Sequence, residues 1–308
     1  MEEIPTDITH CSTINGVGEF LISGQVRMHA VLTQATNPGS ESMDGPVVPN
    51  EIQDYILDFI HDSKPALSTC ALVCKSWVAT SRYHLFREIT LDQGNADDVV
   101  ERLKDPNCTI RQYIQYLEAN NRHRDGNQVC TPVTKAIQSV WKLLTPSALH
   151  LKDWDWSILD DETKATFAQS QHIERLTIER VYYENIHHLD DMLANFPSIR
   201  QLCMTNCRAF DDAPYTRDYL LWSPRLRSLE LPYCDMNPPL GYFIKGRIVP
   251  TRLFRTTNLA PYEIPMIGAY FSMCGNVVQE VEVEFGSWSS NLGILTAVYY
   301  LSCSCVFH

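Results

Sequence analysis

The stretch Ile173-Glu174-Arg175-Leu176-Thr177-Ile178 sets an apolar-x-x-apolar-x-apolar frame. The frame recurs at Ile199-Leu202-Met204, Leu226-Leu229-Leu231 and Val278-Val281-Val283. The first positions are 26, 27 and 52 residues apart, so the last step is two periods with one frame skipped near residue 252, where Leu253-Phe254 fits poorly. Upstream, Leu149 and Leu151 fit with Pro146 in the first slot, 27 residues before Ile173. Two apolar residues separated by one position are the signature of a half-buried strand. The intervening stretch His188-Leu189-Asp190-Asp191-Met192-Leu193-Ala194-Asn195-Phe196, closed by Pro197, has the length and composition of a helix. A strand and a return helix repeated at constant period cannot bury its apolar face alone; stacked copies can.

This frame and period resemble those of leucine-rich repeats, whose units run to roughly 20–29 residues. The position three beyond the frame is Asn or Cys in that family. Here it is Cys207 and Cys234 in two frames, but Trp154, Val181 and Gly286 in the others. The resemblance implies parallel strands on one side and helices on the other. Residues between the frame positions then point to an open face: His150 and Lys152; Arg175, Thr177 and Glu179; Gln201 and Cys203; Ser228 and Glu230; Glu280, Glu282 and Glu284. Of these, Arg175, Glu179, Gln201, Glu230, Glu280 and Glu282 are the candidate substrate face. The last strand alternates Glu with Val, so its open side is expected to be acidic and suited to a basic segment of a partner.

Residues 1–46 read as a flexible tail rich in breakers such as Asn37-Pro38-Gly39, with a short apolar run at Phe20–Ile22 able to form a transient strand. Order is expected from residue 47. Ile52, Ile56, Phe59 and Ile60 recur at helical spacing, with Asn50 as a candidate cap. A second helix reads from about Ala66 to Ala79. Tyr83–Phe86 forms a third segment leading to the strand Glu88-Ile89-Thr90-Leu91. Val73, Cys74 and Trp77 are expected to face inward.

The set Val48-Pro49-Asn50-Glu51-Ile52, Ile56-Leu57, Leu72-Val73-Cys74-Lys75-Ser76-Trp77 and Leu85-Phe86 resembles the F-box, with Val48 in place of the usual leucine. The chain from Val48 onward is similar to fungal F-box proteins with irregular leucine-rich repeats. The resemblance implies a substrate receptor of a Skp–cullin–F-box ubiquitin ligase. Val48, Pro49, Ile52, Ile56, Leu57 and Leu67 would then meet the Skp adaptor and, through it, cullin, while the repeats hold an unidentified protein substrate. The alternative is an interaction scaffold without ligase activity. The expected architecture is α/β: residues 1–46 a tail, 47–92 a three-helix F-box module, and 93–308 a leucine-rich-repeat-like solenoid that reads as incomplete at its C-terminus.

Composition narrows the other classes. A formal charge of -12 disfavours wrapping nucleic acid. Eleven cysteines without framework spacing and an acidic Met1-Glu2-Glu3 start point to a reducing compartment, cytoplasmic or nuclear. The uncharged stretch Leu292–Phe307 is shorter than the ~20 residues of a spanning helix, so no membrane is expected. There is no phosphate loop, dinucleotide glycine pattern or nucleophile elbow. A hydrolase that uses an undetected Cys/His pair is a further alternative, although no family-like local signature supports it. Cys203 and Cys207 with His187-His188, Cys70 with Cys74, and the Asp153–Asp161 run each fall short of a ligand set, so neither a metal nor a cofactor nor enzymatic chemistry is expected.

Overall fold

The computed structural model describes residues 17–22, 26–31, 48–122, 131–183, 185–209, 225–234, 237–285 and 298–302. It divides into two compact units, Met1–Ser81 and Arg82–His308.

In the first unit, β1 (Val17–Ile22) pairs antiparallel with β2 (Val26–Val31), Ile22 facing Val26. The expected transient strand thus has a partner, supplied by the period-two alternation of Val26-Arg27-Met28-His29-Ala30. The other residues of the expected tail lie outside the described residues. Three helices follow: α1 (Asn50–Phe59), α2 (Lys64–Val73) and α3 (Lys75–Phe86), the last running across the unit boundary.

Two local expectations are corrected here. Asn50 is the first helical residue rather than the cap; Pro49 occupies the cap position, and the Gln53 amide reaches back 2.7 Å to the Val48 carbonyl. The expected single helix over 66–79 is broken. Cys74 is extended, with φ -157° and ψ 163°, and its thiol lies 3.1 Å from the Ser76 hydroxyl, so it ends α2 and starts α3 in the manner of a cap. The break turns Val73 and Cys74 outward; Trp77 is half-buried, its indole N–H donating to the Gln53 Oε1 at 2.9 Å.

The second unit is built on an open, mostly parallel sheet. Its strands are β3 (Glu88–Leu91), β4 (Tyr116–Asn120), β5 (Ala148–Lys152), β6 (Arg175–Glu179), β8 (Gln201–Thr205), β10 (Ser228–Pro232), β11 (Leu253–Leu259), β12 (Glu280–Phe285) and β13 (Val298–Ser302). Among the described residues these nine follow spatial order 13-12-11-10-8-6-5-4-3; all neighbours are parallel except the last pair, β12 with β13. The short β7 (Tyr182–Tyr183) and β9 (Arg208–Ala209) pair separately. Parallel neighbours need crossovers. These carry α4 (Ala96–Lys104), α5 (Thr131–Val140), α6 (Asp161–Ala168), α7 (Ile186–Ala194), α8 (Asn237–Gly246) and α9 (Ile264–Cys274). Side-chain caps hold two of them: Asp160 accepts from the Thr163 amide at 2.6 Å, and Asn185 from the His187 amide at 2.9 Å.

The frames occupy one register row. Ile89, Leu117, Leu149, Leu176, Leu202, Leu229, Phe254 and Val281 are consecutive partners across the sheet, at steps of 28, 32, 27, 26, 27, 25 and 27 residues. The frame thought to be skipped near residue 252 is therefore present. Phe254 takes the central slot, and Thr256 takes the last one, fully buried because its hydroxyl donates to the Leu231 carbonyl at 3.2 Å. A further frame, Ile114-Leu117-Ala119, precedes those read from the sequence. The strand Glu88–Leu91, placed with the first three helices above, is the edge of this sheet.

The ends of the strands repeat as well. Two residues beyond five of the frames, Asp153, Arg180, Asn206, Tyr233 and Asn258 all have positive φ, between 50° and 61°. Left-handed backbone costs a side-chain-bearing residue ~1–2 kcal/mol. The turn is repaid by the next residue, Trp154, Val181, Cys207, Cys234 or Leu259, which it drops into the core. Three of these donate to the last frame carbonyl of the preceding strand: Trp154 Nε1 to Ala119 at 2.7 Å, Cys207 Sγ to Ile178 at 3.5 Å and Cys234 Sγ to Met204 at 3.0 Å. Trp154 fills the slot with the same bond that Cys supplies elsewhere, whereas Val181 and Leu259 fill it with apolar bulk. Replacing Trp154 by Phe keeps most of the volume but leaves the Ala119 carbonyl without its donor. The expected loss is ~1–3 kcal/mol of stability, read as a lowered thermal midpoint; an unchanged midpoint would remove this bond from the account.

Candidate functional site

Two surfaces stand out. The first is on α1. Its periodicity places Leu57 and Ile60 inward, where both are buried, and leaves a second apolar stripe outside. Val48, just before the helix, then Ile52, Tyr55 and Phe59 follow at steps of four, three and four residues, and they are 47%, 50%, 71% and 71% exposed. Leu72 on α2 is 87% exposed. Polar bonds hold α1 against α3: Gln53 Oε1 accepts from the Ser76 hydroxyl at 2.8 Å, and Thr80 donates to Asp54 at 2.6 Å.

Of the six residues assigned to adaptor docking, Val48, Pro49 and Ile52 are exposed and Ile56 is half-buried. Leu57 and Leu67 are fully buried, so they brace the helices rather than present a surface. Tyr55, Phe59 and Leu72 were not among the six. The 48/52/55/59 spacing was the available signal for the first two.

The second surface is the open face of the sheet, where the substrate-face candidates lie side by side. Thr90, Glu118, His150, Thr177, Cys203, Glu230, Arg255 and Glu282 form one register row. Tyr116, Ala148, Arg175, Gln201, Ser228, Leu253 and Glu280 form the next. Ser228 is buried, whereas Arg175 and Glu280 are exposed and Glu179, Gln201, Glu230 and Glu282 are half-buried.

The acids on this face are largely paired. His150 lies 3.5 Å from Glu118, 3.3 Å from Glu179 and 2.9 Å from the Tyr116 hydroxyl, and Lys152 lies 3.3 Å from Glu179. Arg180 forks onto Asp153 at 2.7 and 2.8 Å, tying two adjacent left-handed turns, and also meets Glu179. Its pKa is raised, mainly by the bond to Asp153. Within the expected acidic patch at the last strands, Arg255 bridges Glu230 at 3.2 Å and Glu282 at 2.5 Å and so offsets part of its charge. Arg255 went unrecognised because its strand was.

Ionisation follows from burial. Burial lowers the His150 pKa against the opposing pull of Glu118 and Glu179, lowers that of His172, and raises the Tyr116 hydroxyl to about 12. A histidine kept neutral in the folded chain takes up its proton more readily when unfolded. Its stability contribution is therefore complete above a pH of about 6.5 and is lost as pH falls toward the folded pKa. The unfolding free energy should decline on acidification below about pH 6.5, and His150→Gln should flatten that decline. Chemical denaturation at several pH values measures it; an identical slope in the variant would exclude His150 as a source.

Burial raises Cys203 to about 11, so it is a thiol at neutral pH rather than a nucleophile. Cys207, four residues on, is buried, and burial raises its pKa as well. Among the described residues no group of three or more His, Cys, Asp or Glu is placed to hold a metal. The aspartates of the 153–161 run have local structural work: Asp153 on Arg180, Asp155 on Ser157 and Asp160 on Thr163. Among the described residues no helix is long and apolar enough to cross a membrane. The apolar Leu292–Phe307 stretch is described only at Val298–Ser302, a strand antiparallel to β12. Compared with family models and with curated proteins, the chain matches none.

Proposed function

We propose that this chain is the substrate receptor of a Skp–cullin–F-box ubiquitin ligase. It docks the Skp adaptor through the α1 face and receives a protein substrate on a stack of leucine-rich-repeat-like units. The observation that carries the reading is the exposed stripe Val48, Ile52, Tyr55 and Phe59 on a short helix whose inward stripe is already buried. A helix with a second apolar face is built to lie in a partner's groove, where a few aromatic and aliphatic anchors dominate affinity. The motif residues Val48, Pro49 and Ile52 lie on this face. The strand rows supply a broad polar surface of the kind that binds a folded or extended protein segment. In this reading the chain performs no bond chemistry. It raises the effective concentration of a target lysine near a ubiquitin-conjugating enzyme.

Reconstitution tests it. The purified chain mixed with Skp adaptor and cullin should co-elute as one complex, and a protein held on its strand face should acquire ubiquitin when the conjugating enzymes are added. Co-elution without any transfer would favour the non-catalytic scaffold. Failure to co-elute would remove the receptor reading.

A further inference from the structure

We infer that the β1–β2 hairpin is a cover for the apolar stripe of α1, supplied by the same chain and competing with the adaptor for that stripe. The inference rests on the stripe as the docking surface and adds how access to it is controlled.

Register gives the hairpin one apolar face. Successive residues of a strand alternate between faces, and directly opposed partners share one. Gly18, Phe20 and Ile22 stand opposite Ala30, Met28 and Val26, so these residues make a face with no polar member. Val17, Glu19 and Leu21, opposite Val31, His29 and Arg27, make the other, which takes every charged residue of the two strands. The pair is a sheet of its own. Two strands alone are marginal in water and need a further surface, such as a helix, against their apolar face.

The same unit holds such a surface on α1. Val48, Ile52, Tyr55 and Phe59 are exposed along one side of it, and Leu72 and Val73 add apolar surface on α2. The dimensions agree: a six-residue strand is ~17–20 Å long and a ten-residue helix ~15 Å. Charge does not oppose the contact, because α1 carries Glu51, Asp54 and Asp58 and no cation, whereas the strands carry Arg27 and His29 against Glu19. Residues 32–47 join β2 to Val48, and a connection of that length reaches at most ~55 Å, several times the length of α1. The structure shows the stripe uncovered, which is the arrangement an adaptor would enter. Burying the same residues against either hairpin or adaptor spares the chain a standing apolar patch. The adaptor's apparent affinity then falls by the fraction of chains left open.

The test uses the full chain in two ways. In the first, the photoreactive amino acid benzoylphenylalanine replaces Tyr55, and the dilute protein is irradiated without adaptor. Mass spectrometry of the digest should find crosslinks to residues 17–31 of the same molecule, and Phe20→Asp combined with Met28→Asp should abolish them. In the second, adaptor affinity is measured with Tyr55 intact. The Phe20, Met28 variant should bind at least threefold more tightly than the unmodified chain, whereas Glu19→Gln, on the other face of the hairpin, should change neither readout. Crosslinks that join two copies, none to residues 17–31, or an adaptor affinity that the hairpin variant leaves unchanged would overturn the proposal. The crosslink needs no adaptor, so it decides the cover separately from the receptor reading: a chain that crosslinks as expected yet never binds adaptor would count against that reading alone.

Discussion

Phe167→Ala should lower the stability of the second unit by ~3–5 kcal/mol. Phe167 is fully buried on α6, and its ring centroid lies 5.4 Å from Trp141, 5.8 Å from both Trp154 and Trp156, and 5.7 Å from Phe196. Those four rings come from the end of the α5 segment, the turn after β5, the short helical turn that follows, and the end of α7. One side chain therefore welds successive strand–helix units. In a stacked architecture each unit is stable only through its neighbours, so a cavity at this junction weakens both sides. The expected fall in thermal midpoint is roughly 10 °C for a unit of this size. Phe167→Leu, which fills more of the space, should lose less than half as much. A fall of less than about 3 °C for the alanine variant would show that the units do not depend on this cluster.

Ile52→Asp combined with Phe59→Asp should abolish adaptor binding, a loss of at least ~100-fold if each residue is an anchor. The same pair should hardly change folding, because substitutions of exposed side chains usually fall within about 0.5 kcal/mol. The contrast with Leu57→Asp is informative. Leu57 is fully buried, and a carboxylate there should unfold the helices and lose binding indirectly. Retained adaptor affinity in the Ile52, Phe59 variant, with an unchanged unfolding profile, would mean that docking uses another face.

The strand frame was legible wherever both inner slots were aliphatic. Leu149/Leu151, Leu176/Ile178, Leu202/Met204, Leu229/Leu231 and Val281/Val283 all fall in the register rows assigned to them. The frame was lost where a slot carried a small or polar residue. Thr256 hides β11 because nothing in its composition says that its hydroxyl is satisfied by the Leu231 carbonyl. Ala119 and a step of 32 residues hide β4. Losing β11 also lost Arg255, and with it the bridge between Glu230 and Glu282.

At the N-terminal helices, periodicity found the apolar residues but assigned some of them to the wrong side. The break at Cys74 follows from a local capping geometry that a continuous apolar stripe conceals. The division of α1 into an inner stripe through Leu57 and Ile60 and an outer one through Ile52, Tyr55 and Phe59 depends on which side the rest of the unit covers, which spacing alone does not specify.

Hydrogen exchange of the full chain with and without purified Skp adaptor tests the central claim most directly, because it reads binding and its location together. The account predicts that adaptor slows exchange in residues 48–60 and around Leu72, and leaves the strands from β4 to β12 unchanged. Absence of protection anywhere at saturating adaptor, or protection confined to the strand face, would contradict it.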